Sequence, residues 1–143
     1  MVVGVATTVA FARRKFDTGG AETLAFLAVP FGDLLVFAVL VTAGILYRRH
    51  PETHKRLMLL ATISLLDAAL SRWPLAILQH GPVAWFLAAD LFVLAGVCYD
   101  LVSRRRIHPA YVCGGLLLLL SQPLRLAVGH TDAWLAFAGG LVR

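Results

Sequence analysis

The sequence has few charged residues and few cysteines. Charged residues make up 15% of its 143 positions and apolar residues 59%, and there are two cysteines. So little polar surface cannot cover a soluble globule of this length, which excludes an ordinary soluble domain. Cys98 and Cys113 both lie in apolar runs without zinc-ligand spacing, so neither a disulfide framework nor a metal site is predicted. We interpret the chain as an integral membrane protein that contacts the lipid bilayer.

The sequence also lacks the common catalytic signatures. It contains no GxSxG, no HExxH, no phosphate-binding loop and no kinase-type motif. Its glycine pairs, Gly114-Gly115 and Gly139-Gly140, are typical of close helix contacts rather than of ligand-binding loops. No catalytic residue is therefore predicted, and the sequence favours a protein that is not an enzyme.

The basic residues lie in short clusters beside apolar runs. Residues 48–56 contain four lysines or arginines and residues 103–109 contain three, whereas the connectors 79–82 and 130–132 contain none. This is the positive-inside pattern of membrane proteins, so the net charge of +5 does not indicate a nucleic-acid partner. We predict a multi-pass membrane protein with loops 48–56 and 103–109 in the cytoplasm.

The apolar runs predict an all-α fold, a single helical membrane domain over residues 1–143. Four of them are long enough to cross a bilayer, which requires about 20 residues. These predicted spans are residues 23–47, 57–78, 83–102 and 110–129. Pro74 and Pro123 are expected to kink the second and fourth spans. Segments 1–12 and 133–142 are apolar but too short, so each is interpreted as a partial segment, and whether residues 1–12 cross the membrane is left open.

Two stretches of the chain share one pattern. Residues 26–51 and 86–109 each contain an apolar run with an aspartate near its start, then consecutive arginines and a His-Pro pair. If the two stretches are duplicates, they have the same topology and are related by an axis along the membrane normal. The alternative is that similar apolar composition produces the match.

Polar residues inside the predicted spans are costly and are usually buried and paired. Those assigned to one shared polar layer are Asp33, Asp67, Arg72, Asp90, Ser121, Gln122 and Arg125. From their distance along each span, Arg72 and Arg125 are expected to share Asp90 in the outer third of the membrane, with the other two aspartates nearer its centre. The predicted layer is either an ion-pair network that fixes helix packing or a small-ligand or proton site. Snorkelling of the arginines to the interface is the third alternative.

The five histidines lie in the connectors between apolar runs. A haem held across helices needs imidazoles on facing spans, so the cofactor is unknown and haem would require additional spans or partners. His50 and His54 have helical spacing, but Pro51 argues against one continuous helix that would bring them together.

The segments LAFLAVPFGDLLVFA, RRHPETHKRLMLLATISLL and IHPAYVCGGLLLLLSQPLRLA resemble a family of uncharacterised bacterial multi-span membrane proteins of the domain-of-unknown-function type. The most specific piece is HPETHKRLMLLAT. Such proteins commonly begin with additional histidine-bearing spans, so the resemblance implies that this chain corresponds to their carboxy-terminal portion. Two alternative functions remain: a haem- or quinone-associated redox subunit, and a transporter or accessory transport subunit. A homo-oligomer or a membrane partner subunit is compatible with each.

Overall fold

The computed structural model describes residues 2–142, without the side chains of residues 2, 5, 11–19 and 142. Every regular element in this described part is helical, which confirms the predicted all-α fold class. The elements are α1 (Val2–Phe26), α2 (Ala28–Leu46), α3 (Pro51–Ile63), α4 (Leu66–Leu70), a 3₁₀ helix (Ala76–His80), α5 (Pro82–Arg104), α6 (Pro109–Gly129) and α7 (Asp132–Val142).

Three helical stretches are long and apolar enough to cross a membrane. They are Gly20–Leu46, Pro82–Arg104 and Pro109–Gly129, with 27, 23 and 21 residues. The first begins at Gly20, whose positive φ of 48° interrupts the helical path of α1. Three of the four predicted spans therefore correspond to helices of membrane-spanning length, which indicates a membrane-embedded protein.

The second predicted span, residues 57–78, is broken, so the four-span bundle is not confirmed. α3 ends at Ile63 and α4 covers only five residues, Leu66–Leu70. Pro74 lies in the irregular stretch that follows, where the missing N–H and the restricted residue before proline both oppose helix. Pro123, in contrast, lies inside α6 without ending it.

The chain divides into two compact units. The central unit is Val36–Leu120, and the terminal unit comprises the described residues up to Leu35 and from Ser121 onward. The predicted partial segment 133–142 forms most of α7, whose 11 residues are too few to cross a bilayer. The other, residues 1–12, belongs to α1 from Val2 on.

In the central unit, α5 packs against α3, α4 and the 3₁₀ helix. The core includes Leu40 and Leu60, which are at most 2% exposed. Near the start of α5, the Trp85 indole N–H donates to the carbonyl oxygen of Leu78 at 2.6 Å. The chain from α3 to the 3₁₀ helix thus reaches the amino-terminal end of α5.

In the terminal unit, α1 packs against α7. Leu24, Leu27 and Ala138 form its buried core. The Trp134 indole N–H donates to the Leu24 carbonyl oxygen at 2.9 Å, and its ring meets Phe31 edge-on with centroids 5.9 Å apart. These contacts satisfy the polar end of the tryptophan and pack its half-buried ring against Phe31.

Candidate functional site

Charged side chains from α3 and α5 meet in the central unit. The Arg56 guanidinium donates from Nε to Oδ2 of Asp100 at 2.8 Å and from Nη2 to Oδ1 at 2.5 Å. The two side chains are 4% and 2% exposed. A two-point contact between a guanidinium and a carboxylate is among the strongest hydrogen-bonded ion pairs in proteins. Arg56 therefore joins the first turns of α3 to the last turns of α5.

The sequence around Arg56 explains how it is positioned. Pro51 begins α3, where its fixed φ suits the first helical turn and its missing N–H is not needed. Glu52 lies four residues before Arg56, on the same helix face, and its carboxylate accepts a 2.8 Å hydrogen bond from Arg56 Nη1. The same Nη1 also donates to the Glu52 carbonyl oxygen at 2.6 Å. These two hydrogen bonds within α3 thus orient the Arg56 side chain towards α5.

The Glu52 carboxylate also contacts two more exposed basic side chains. Its carboxylate contacts Lys55 at 2.8 Å and Arg104 at 2.5 Å, in addition to Arg56. The hydrogen bonds from Arg56 and then Lys55 lower the pKa of Glu52 to about 2. The Lys55 and Arg104 side chains are 54% and 46% exposed, so both present donors to the surroundings. We call Glu52, Lys55, Arg56, Asp100 and Arg104 the ionic cluster.

Tyr111 from α6 packs against the buried side of the ionic cluster. The Arg56 guanidinium carbon lies 5.8 Å from the centroid of the Tyr111 ring, within the range of a cation–π contact. The phenol lies close to the backbone of α5, because a Cβ placed on Gly96 would be 2.6 Å from the hydroxyl oxygen. Glycine at position 96 therefore makes room for this aromatic ring.

A cavity of about 630 Å³ lies beside the ionic cluster. Its walls are formed by α3, α5 and the first turn of α6. The lining residues are Lys55, Arg56, Leu59, Tyr99, Asp100, Ser103, Arg104 and Tyr111. The ionic cluster contains three cations and two carboxylates. The cavity is therefore net cationic, and its chemistry suits an anion.

Two of the residues predicted for the polar layer pair in the terminal unit. Arg125 donates from Nη1 to Oδ1 of Asp33 and from Nη2 to the Ser121 hydroxyl, the latter at 2.8 Å. The Arg125 and Asp33 side chains are 5% and 7% exposed. A Cβ on Gly32 would lie 2.5 Å from Arg125 Cδ, so glycine provides the space for the arginine stem. The structure thus brings together Asp33, Ser121 and Arg125 of the predicted layer.

The prediction of a buried position for Arg72 is wrong. Arg72 is exposed, and its guanidinium donates to the Ala68 carbonyl oxygen at 2.9 Å. The physical reason is that α4 ends at Leu70, so Arg72 lies in a turn instead of inside a helix. Of the other predicted residues, Asp67 is buried in α4, Asp90 is half-buried in α5 and Gln122 is half-buried in α6.

The sequence reasoning missed the ionic cluster. It assigned Arg56 and Arg104 to solvated loops as orientation signals, and it did not consider Asp100 as a buried charge. One local signal was available, because Glu52 and Arg56 have the spacing of a helical ion pair. A second was Asp100 itself, a carboxylate inside the predicted span 83–102.

His54, two residues before Arg56 on α3, has a structural contact. His54 Nδ1 lies 2.8 Å from the carbonyl oxygen of Gly44, which ties α3 to the end of α2. His50 precedes Pro51, the first residue of α3. Among the described residues, histidines, cysteines and carboxylates form no group of three that could hold a metal ion.

Comparison with known proteins adds no relative. No family model matches the chain, and neither does any curated protein or solved structure. Its function is therefore inferred from the geometry of the described residues.

Proposed function

We propose that the chain is a non-enzymatic, multi-pass protein of the bacterial inner membrane in which buried ion pairs hold the helices in register. The observation that carries this proposal is the two-point contact between Arg56 and Asp100. Burying two charges costs several kcal/mol per ion, and only good geometry with further hydrogen bonds offsets that cost. Arg56 has such geometry, because Glu52 accepts two further hydrogen bonds from it.

The second buried pair has the same character. Asp33 and Arg125 lie in different helices, α2 and α6, and Ser121 accepts from the same guanidinium. With Nη1 and Nη2 donating to neighbouring side chains, this arginine fits a structural role in the terminal unit better than a proton path. A small-ligand site there is the remaining alternative.

A fourth crossing by the broken segment after α3 is part of the proposal. Arg56 contacts Asp100 near the end of α5, and Leu78 contacts Trp85 near its start. These two points on α5 are roughly 15 residues, or about 22 Å, apart. The segment between Arg56 and Leu78 therefore runs antiparallel to α5 over most of the bilayer's hydrocarbon thickness, about 30 Å. Interrupted helices of this kind cross membranes when neighbouring helices satisfy their free backbone groups.

The distribution of basic residues supports a cytoplasmic position for loops 48–56 and 103–109. Both loops contribute to the ionic cluster, so they lie at the same end of the central unit. The connectors 79–82 and 130–132, which have no lysine or arginine, are assigned to the opposite side. HPETHKRLMLLAT, the segment that carries the family resemblance, supplies Glu52, Lys55 and Arg56.

Cysteine labelling in intact cells tests this topology. The background variant replaces Cys98 and Cys113 by serine, and single cysteines are then introduced as His80→Cys, His130→Cys or Arg106→Cys. A membrane-impermeant maleimide should label the first two in intact cells and the third only after permeabilisation. The fourth crossing needs Arg49→Cys as well, because Arg49 and His80 lie on either side of the broken segment. Labelling of Arg49→Cys and His80→Cys from the same side would refute that crossing.

A further inference from the structure

An apolar groove runs between α5 and α6 in the central unit. Its volume is about 520 Å³. The α5 wall includes Leu87, Leu94 and Val97, and the α6 wall includes Gly115 and Leu116. Several of these leucines are more than half exposed, so the groove opens outward instead of into the core.

The groove has the length of one bilayer leaflet. From Leu87 to Val97 its α5 wall covers about ten residues, or roughly 15 Å of helix. The hydrocarbon core of a bilayer is about 30 Å thick, so each leaflet contributes about half of that. In the fully described stretch of α5 and α6 that lines the groove, Asp90, at the end far from the ionic cluster, is the one charged residue.

The groove adjoins the cationic cavity. Tyr111 lines both spaces, with its ring near Arg56 and its hydroxyl against the backbone at Gly96. In the cavity, Lys55 and Arg104 are about half exposed and carry N–H groups beyond those that reach Glu52. A cationic cavity at a helix end, joined to an apolar groove one leaflet long, matches a charged headgroup with an attached acyl chain.

We propose that the central unit binds one anionic phospholipid. Its phosphate enters the cavity beside Lys55 and Arg104, and one acyl chain follows the groove along α5 and α6. An ammonium and a guanidinium are the groups that proteins use to bind phosphate oxygens. The site belongs to the leaflet on the arginine-rich side of the protein, where basic pockets between membrane helices bind lipid headgroups. It requires membrane embedding but not the cytoplasmic orientation or the fourth crossing of the proposed function.

Lipid titration of the purified full chain in non-ionic detergent tests the proposal, with bound lipid counted by native mass spectrometry. The probes are dioleoyl phosphatidylglycerol and dioleoyl phosphatidylcholine. We expect one phosphatidylglycerol bound about 30-fold more tightly than phosphatidylcholine, on the basis of roughly a fivefold gain per basic side chain. Equal binding of the two lipids would overturn the proposal. This comparison uses the unaltered chain, so it does not depend on the folding of any variant.

Paired variants locate the headgroup. Lys55→Gln with Arg104→Gln should reduce phosphatidylglycerol binding about 30-fold, to the level of phosphatidylcholine. The matched control, Arg105→Gln with Arg106→Gln, removes the same charge from exposed residues that do not line the cavity, and should leave the preference intact. An equal loss in both double variants would indicate diffuse attraction to the surface and would reject the cavity as the site.

A third experiment distinguishes the binding of a phospholipid from the binding of free phosphate. Gly115→Leu places a side chain in the groove, since a Cβ there meets only Val93 at an ordinary 3.6 Å. It should weaken phosphatidylglycerol binding, whereas Gly140→Leu, at an open position in α7, should not. Inorganic phosphate at the same concentration as the lipid should not displace it. Full displacement by phosphate, or no effect of Gly115→Leu, would show that the groove holds no acyl chain.

Discussion

Replacing Asp100 by leucine should destabilise the central unit strongly, because it leaves the Arg56 guanidinium buried beside an apolar side chain. Arg56 is 4% exposed and directs two of its three nitrogens at Asp100. Loss of one partner of a buried pair costs about 3–5 kcal/mol. We expect about 3 kcal/mol here, since Glu52 still accepts the hydrogen bonds from Nη1.

The reciprocal change, Arg56→Leu, should cost more, about 4–5 kcal/mol, because it leaves a carboxylate 2% exposed without its guanidinium. The double variant replaces both charges by apolar groups and removes the desolvation cost of each. Substitutions of this kind are often neutral or stabilising. The double variant should therefore be less destabilised than either single variant.

Reversible unfolding in mixed micelles, followed by far-ultraviolet circular dichroism, measures all three variants against the unaltered chain. Arg106→Leu is the control, since it removes an exposed arginine outside the ionic cluster and should change the free energy of unfolding by no more than about 0.5 kcal/mol. A double variant whose loss equals the sum of the two single losses would refute the pairing.

Three further perturbations test other contacts. Gly96→Ala should cost about 1–3 kcal/mol, because the new Cβ would lie 2.6 Å from a phenol oxygen, whereas Gly140→Ala, with open space around it, should not destabilise. Because the folded-state pKa of Glu52, about 2, lies below its ordinary value of 4.5, its stabilising effect is complete above pH 4.5 and is lost as the pH falls towards 2. When the free energy of unfolding is measured against pH, Glu52→Gln should reduce its pH dependence between pH 4.5 and 2. An unchanged slope would show that Glu52 is not the source of that dependence. Asp33→Leu should destabilise the terminal unit by about 3 kcal/mol, because it leaves Arg125 buried, and unaltered hydrogen exchange in α6 would count against the pair.

Much of the fold was predictable because it depends on local properties. Long apolar runs bounded by arginines predicted three of the stretches that the structure shows as helices of spanning length. The stretch 57–78 has similar composition, but the structure breaks it after Ile63 and again before Pro74. Pro74 was expected only to kink this span. The interruption near Leu65, where no proline lies, was not expected. Arg72 was misplaced for this reason, since its predicted depth assumed a continuous helix.

The candidate site was only partly predictable. Asp33 and Arg125 were recognised as costly charges within spans, and they are buried and paired. Their pairing with each other was not predicted, because the depth of a residue along a span does not show which sides of two helices pack together. Arg56 was read as a loop charge, because its partner lies 44 residues away in sequence.

By itself, the sequence determined that the chain is helical and suited to a membrane. Partition into lipid depends on the summed apolarity of a run and on its length, and both are properties of consecutive residues. The tertiary structure decided which charged side chains are buried and which present hydrogen-bond donors at the surface. The cost of a buried charge depends on the exact position of its partner, and that partner is supplied by another helix. Asp100 and Arg104 lie one turn apart on α5, yet the first is buried against Arg56 and the second stays half exposed at the cavity.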